Sequence, residues 1–162
     1  MRHFGVLIPS TNTTVEIEYS RHLPPSIQSH YGRMKSSGGT PFSPPVDTDL
    51  AYQSEMIGHS RVEAVALAQT SASLFDPGYD DKATRLMTDG AKVPSVTSAQ
   101  AIGQALQHLG AKTIALATPY SPEAIQRMGH YFDSKYGVKT VTMIPFNASN
   151  AYEIGLLGPE MA

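Results

Sequence analysis

Small hydroxyl and amide side chains crowd the places where short apolar runs end. The stretch Gly5-Val-Leu-Ile-Pro-Ser-Thr-Asn-Thr-Thr-Val-Glu16 runs from apolar residues through a proline into five such side chains, then into a helical pattern from Val15. First-turn N–H groups of a helix lack intrahelical partners and carry partial positive charge, so such a junction holds carboxylates or phosphates. Ile114-Ala-Leu-Ala-Thr-Pro-Tyr-Ser-Pro-Glu123 repeats the layout. A third polar segment, Gln69-Thr-Ser-Ala-Ser73, follows the apolar run Val62–Ala68. The two similar junctions imply two half-sites facing one small anionic ligand.

Composition narrows the chemistry. The chain has 162 residues, 41% hydrophobic and 16% charged, which suits a globular protein with a core. Its formal net charge of −2, without a basic cluster, gives nucleic-acid binding little support. No apolar stretch has membrane-spanning length, and Met1-Arg-His-Phe4 leads straight into a strand, so a cytoplasmic location is the default expectation. Cysteine is absent, which excludes disulfides, thiolate metal sites and thiol catalysis by these residues. The histidines at positions 3, 22, 30, 59, 108 and 130 do not pair at metal-ligand spacing, so no metal is expected. The glycines form no phosphate-binding fingerprint, and no cofactor is expected.

Apolar runs alternating with helical patterns predict an α/β fold with a mainly parallel sheet. Strands are expected at Phe4–Ile8, Ser29–Lys35, Val62–Ala68, Lys112–Ala117 and Lys139–Ile144. Helices are expected from Thr14 to about His22, before Pro24-Pro25, from Asp49 to about Ser60, over Asp80–Asp89 with Gly90 as its stop, from about Ser98 to Leu109, and over Pro122–Tyr136. Ala101, Ile102, Ala105, Leu106 and Leu109 form an amphipathic stripe. Ser36 to Pro45 reads as a Gly/Pro/Ser-rich loop, and Val93–Val96 as a bridge. Ile154-Gly-Leu-Leu-Gly-Pro159 reads as a loop leading into a helix start at Pro159-Glu160.

Four stretches together resemble the aspartate/glutamate racemase superfamily, in its maleate cis–trans isomerase and arylmalonate decarboxylase branch. They are Pro9-Ser-Thr-Asn-Thr-Thr-Val-Glu16, Leu67-Ala-Gln-Thr-Ser-Ala-Ser73, Pro94-Ser-Val-Thr-Ser-Ala-Gln-Ala101 and Ala111-Lys-Thr-Ile-Ala-Leu-Ala-Thr-Pro-Tyr120. The resemblance implies two pseudo-symmetric flavodoxin-like halves, residues 1–94 and 95–162, with an active-site cleft between them and the second half incomplete. It implies a cofactor-independent enzyme acting on a small carboxylate or dicarboxylate. By the same resemblance Asn12 contacts the substrate or orients the catalytic group, with Ser10 assisting. Thr70 and Ser71 hold a carboxylate or its enediolate, and Tyr120 donates a hydrogen bond from the other half.

The chain departs from the family where chemistry is decided. Maleate isomerases resembling it carry a catalytic cysteine at the place of Gln69, and an amide is neither nucleophile nor general acid near neutral pH. The second family cysteine lies further along than Ala162. Arylmalonate decarboxylases lack the first thiol and rely on the second. Three functions follow as expectations: a maleate-isomerase-type enzyme, an arylmalonate-decarboxylase-like enzyme, and a non-catalytic carboxylate-binding fragment. In each, Gln69 could hydrogen-bond a substrate carboxylate or act as a polar filler.

Plainer roles stand beside these. Asn12 is also a preferred helix cap. Thr70, Ser71 and Ser73 could satisfy their own backbone, a reading strongest for Ser73. Arg33 reads as a surface ion pair, with a substrate carboxylate as its alternative partner. A half-built second domain would expose apolar faces, so a homo-oligomer is expected.

Overall fold

The protein is described by a computed structural model over residues 1–35 and 43–158. Most of the expected Ser36–Pro45 loop and the helix start at Pro159-Glu160 lie outside the described residues. The chain divides into two compact units, Met1–Ser98 and Ala99–Ala162.

The first unit is a parallel four-stranded sheet in the order β2-β1-β3-β4, the order of a doubly wound α/β half. Strand β1 (Arg2–Pro9) leads through helix α1 (Val15–His22) to β2 (Ile27–Met34). Helix α2 (Asp47–Gly58) returns the chain to β3 (Val65–Leu67), and α3 (Ala72–Phe75) and α4 (Tyr79–Ala91) carry it to β4 (Ser95–Thr97). Leu7 on β1 sits opposite Gly32 on one side and Leu67 on the other. Flanked by strands on both sides, Val6, Leu7 and Ile8 are fully buried, as expected for a central parallel strand. Leu7, Met34, Leu50, Val65, Leu67, Ala83 and Met87 belong to one core cluster.

Several local expectations are corrected. Strand β3 covers only Val65–Leu67 of the run Val62–Ala68, and Val93–Val96 is no mere bridge, because Ser95–Thr97 pairs with β3. The polar loop after β3 is partly helical, as α3. Gly90 does not stop α4: the helix continues to Ala91, and Lys92 takes the left-handed cap at φ 59°. A Cβ on Gly90 would stand 2.8 Å from Ser54 Cβ and 2.9 Å from the Ala51 carbonyl oxygen. Its small size is what lets α4 lie against α2.

The second unit contains helix α5 from its second residue, Ala99, then β5 (Thr113–Thr118), α6 (Pro122–Tyr136), β6 (Lys139–Pro145) and α7 (Ala151–Leu156). β5 and β6 pair in parallel, with a register shift between Ile114 and Ala115. Helix α6 has Pro122 in its first turn, and the Ser121 hydroxyl accepts from the Ala124 N–H at 3.3 Å. Helix α7 replaces the loop expected at Ile154, because Asn150 Oδ1 accepts from the Tyr152 and Glu153 N–H groups and caps it. α5 (Ser98–His108) buries Ala99 and Gly103, and a Cβ on Gly103 would collide with the Tyr136 ring. Its amphipathic stripe does not form a core here: Ala101, Ile102, Ala105 and Leu109 are exposed.

Candidate functional site

The C-terminal ends of parallel strands are where such sheets gather their ligand loops. In the first unit, β1 and β3 run side by side, and Ala68 N–H donates to the Leu7 carbonyl at 2.8 Å just past the paired residues. The loops carrying Ser10–Asn12 and Gln69–Ser71 therefore leave the same edge of one sheet from adjacent strands.

Asn12 shows its capping role directly. Its Oδ1 accepts from the Thr14 N–H at 3.1 Å and the Val15 N–H at 2.9 Å, satisfying the entry of α1. With Oδ1 engaged in this way, the side-chain NH2 is the group of Asn12 able to donate elsewhere. Arg33 braces the same loop. Its guanidinium donates to the Ser10 and Asn12 carbonyls at 3.1 and 3.0 Å and to Glu16 Oε2 at 2.6 Å. The ion pair is half exposed and stabilises little by itself, but the two carbonyl contacts fix the loop path.

The Gln69–Ser73 segment is held more firmly. Gln69 Nε2 donates to the Ser43 carbonyl at 3.0 Å, and the Thr70 and Ser98 hydroxyls share a hydrogen bond of 2.9 Å. Two hydroxyls linked this way use one proton between them and keep the other for a further acceptor. Ser71 is buried at the entry to α3. Ser73 turns inward and donates to Asp80 Oδ1 at 2.6 Å, so its partner is a buried side-chain carboxylate and not the local backbone expected for it.

Tyr120 belongs to the second unit and is half-buried. Its N–H donates to Thr118 Oγ1 at 3.3 Å and its carbonyl accepts from the Asn147 N–H at 3.2 Å, which fixes the backbone of the turn after β5.

Sequence reasoning missed three residues around the first-unit loops. Ser98 partners Thr70, and Asp80 and Thr97 form a buried polar pair, Thr97 Oγ1 donating to Asp80 Oδ1 at 2.8 Å. The Thr97-Ser98 step repeats the Thr70-Ser71 step at a strand end and could have signalled the first. Nothing signalled Asp80, since an acidic residue in a helix's first turn reads as solvent-facing. Beside it, Tyr79 is 1% exposed and its hydroxyl finds no hydrogen-bond partner among the described residues. Burial pushes its phenol upward, and the charges of Asp47 and Asp80 add to the rise.

A cavity of about 430 Å³, lined in part by Met1, Tyr19, Leu23, Pro25 and Ile27, lies at the opposite, N-terminal ends of β1 and β2. It shares no residue with the loops above. Among the described residues no three His, Asp or Glu side chains gather as metal ligands, and no helix is long and apolar enough to cross a membrane.

With these loops in place, comparison with known proteins identifies the lineage. The family model described as arylmalonate decarboxylase matches residues 46–155, more than half of the chain. The chain belongs to the arylmalonate decarboxylase family. It is 25% identical over 175 residues to a maleate isomerase of Alcaligenes faecalis, a match covering 96% of this chain and 67% of that protein. An unliganded arylmalonate decarboxylase shares its fold with a TM-score of 0.79 at 15% identity, over 99% of this chain and 68% of the other. A maleate cis–trans isomerase of Nocardia farcinica, solved with a covalently bound succinylcysteine intermediate, gives 0.78 at 22% identity, over 98% and 69%. These likenesses place the parallel α/β architecture in the family's fold. That isomerase carries a covalently bound succinylcysteine, whereas the 162 residues of this chain, which span about two thirds of these relatives' length, hold no cysteine.

Proposed function

We propose that the chain binds a small dicarboxylate through the Gln69–Ser71 loop and serves the cofactor-independent isomerase or decarboxylase chemistry of its relatives. The observation that carries this reading is the braced Thr70–Ser98 hydroxyl pair beside Ser71, at the C-terminal end of a parallel sheet. Hydroxyl and amide donors held before the ligand arrives stabilise carboxylate oxygens without burying an unpaired cation. Asn12 and Tyr120 are proposed as further donors, with Ser10 assisting through its loop.

Maleate-isomerase-type activity is the leading reading, supported by likeness to a curated maleate isomerase over 96% of this chain. In that chemistry a thiolate adds to the alkene, the former double bond rotates, and elimination returns the thiolate. Gln69 cannot perform the addition, so the thiol must come from outside these residues. Gln69 itself favours a second reading. An arylmalonate-decarboxylase-like reaction does without a thiol at that place and forms an enediolate after loss of carbon dioxide. Its two oxygens would accept hydrogen bonds from Thr70, Ser71 and Tyr120. Binding without turnover is the third reading, supported by the absence of cysteine.

Three assays separate the readings. Conversion of maleate to fumarate, followed by proton NMR, selects the isomerase. Release of carbon dioxide from phenylmalonate selects the decarboxylase. Thermal stabilisation by maleate, malonate or phenylmalonate without turnover selects the binding module. Stabilisation of about 2.7 kcal/mol is expected at roughly a hundredfold excess over the dissociation constant. Failure of all three acids to stabilise the protein overturns the carboxylate reading.

A further inference from the structure

The buried carboxylate of Asp80 has no place in the chemistry proposed above, yet it lies directly behind the candidate loop. Asp80 is 1% exposed, and its Oδ1 accepts two hydroxyl hydrogen bonds, from Ser73 at 2.6 Å and from Thr97 at 2.8 Å. Ser73 and Thr97 are themselves buried, at 2% and 0% exposure. Ser73 ends the segment that carries Gln69, Thr70 and Ser71, and Thr97 ends β4, immediately before Ser98. The segment after β3 is thus tied to the end of β4 twice. One tie is the direct Thr70–Ser98 bond of 2.9 Å, and the other runs Ser73–Asp80–Thr97.

A buried carboxylate is costly to desolvate and persists only where hydrogen bonds compensate it. Three buried polar side chains where an apolar trio would pack are therefore a specificity device more than a source of stability. Both ties lie at or past Leu67 and Thr97, where the ladder of paired residues stops. From this we infer that Asp80 is a positioning residue. By holding Ser73 and Thr97 on one oxygen, it sets the conformation in which the Thr70, Ser71 and Ser98 hydroxyls meet a ligand. Its value for ligand binding rests on the carboxylate reading of that loop; its hold on the loop does not.

Two readouts keep these apart. In the ligand-free protein, amide hydrogen exchange of Gln69–Ser73 reports the hold. Titration with maleate and with malonate, at a temperature where every variant stays folded, reports its consequence. Asp80→Ala is expected to speed exchange at Gln69–Ser73 at least tenfold and to weaken dicarboxylate binding at least tenfold. Thr97→Val removes one hydroxyl at nearly constant shape and is expected to cause part of both effects. Thr97→Ser restores the donor and should bring both back to within about threefold of the parent. Met87→Ala opens the core on the same helix and lowers the melting temperature, but should leave exchange at Gln69–Ser73 relative to the other slow amides unchanged. Unchanged loop exchange in Asp80→Ala overturns the inference, and so does an equal loop effect in Met87→Ala. If Asp80→Ala does not fold, Thr97→Val against Thr97→Ser decides the matter on the same criteria. If the parent binds neither acid while the exchange results hold, the carboxylate reading fails and the positioning role stands.

Discussion

Strands β1 and β5, the first strand of each unit, share one pattern, an apolar run closed by a proline and small polar residues, yet they lie in different surroundings. β1 pairs with β2 on one side and β3 on the other, and Val6, Leu7 and Ile8 are fully buried. β5 pairs, among the described residues, with β6, and Thr113, Ala115 and Ala117 on it are exposed. On β6, Val141 and Ile144 are 67% and 51% exposed. Apolar periodicity therefore tells where a strand forms, while its burial depends on what lies to either side. A loop at the end of a flanked strand can be braced from its neighbours, as the Gln69–Ser73 segment is braced from β4.

The largest expected effect of this contrast is on core truncation. Leu7→Ala should destabilise the protein by about 3 kcal/mol, whereas Ile144→Ala should stay within about 0.5 kcal/mol, both read by denaturant titration. Equal losses would break the comparison. Glycines packed inside the two units sharpen it. Gly90→Ala forces a Cβ against the backbone of α2 and should cost about 1–3 kcal/mol by overpacking. For Gly103→Ala the three nearest atoms to the new Cβ all belong to the half-buried Tyr136 ring, a side chain that can give way more cheaply than backbone, and the helix gains about 1 kcal/mol of propensity. Near-neutrality is expected for Gly103→Ala, checked in the same titration.

A smaller effect concerns Tyr79. Tyr79→Phe removes a buried hydroxyl without a described partner and should stabilise by about 1 kcal/mol. The phenol's folded pKa is raised above its ordinary value of 10.0, so its contribution is fully present below pH 10 and is lost as pH rises above it, when the unfolded chain ionises more readily. Melting temperatures measured between pH 9 and 11 should fall more steeply for the parent than for Tyr79→Phe. The smallest effect on stability belongs to Val141→Lys combined with Ile144→Lys, within about 0.5 kcal/mol each. The same pair should suppress concentration-dependent self-association in light scattering, because it charges an exposed apolar face. Clean monomeric scattering by the parent would remove the expectation of a homo-oligomer.

Much of the fold was legible because strand and helix periods are strong signals in this chain: Pro122–Tyr136 forms the helix read from its sequence, from the first-turn proline to Tyr136. Misreadings came from contacts that no local pattern records. Gly90 has the composition of a helix stop and the job of a spacer between α2 and α4. Asp80 has the composition of a first-turn charge and lies inside, because Ser73 and Thr97 reach it from elements distant in sequence. The stripe on α5 has helical amphipathicity, yet the residues that α5 buries are Ala99 and Gly103, outside that stripe. In the candidate site, Thr70 and Ser71 were legible as hydroxyls closing an apolar run. The bracing by Ser98 and Arg33 was not, because it links strand ends brought together by the sheet order.

One titration tests the central claim most directly. Amide spectra of the nitrogen-15-labelled protein are recorded with increasing maleate. Saturable shifts are predicted at Gln69, Thr70, Ser71, Ala72 and Ser98, and their loss is predicted in Thr70→Val combined with Ser71→Ala. An absence of saturable shifts, or shifts confined to the cavity beside Tyr19 and Ile27, would contradict the assignment of this loop as the carboxylate site.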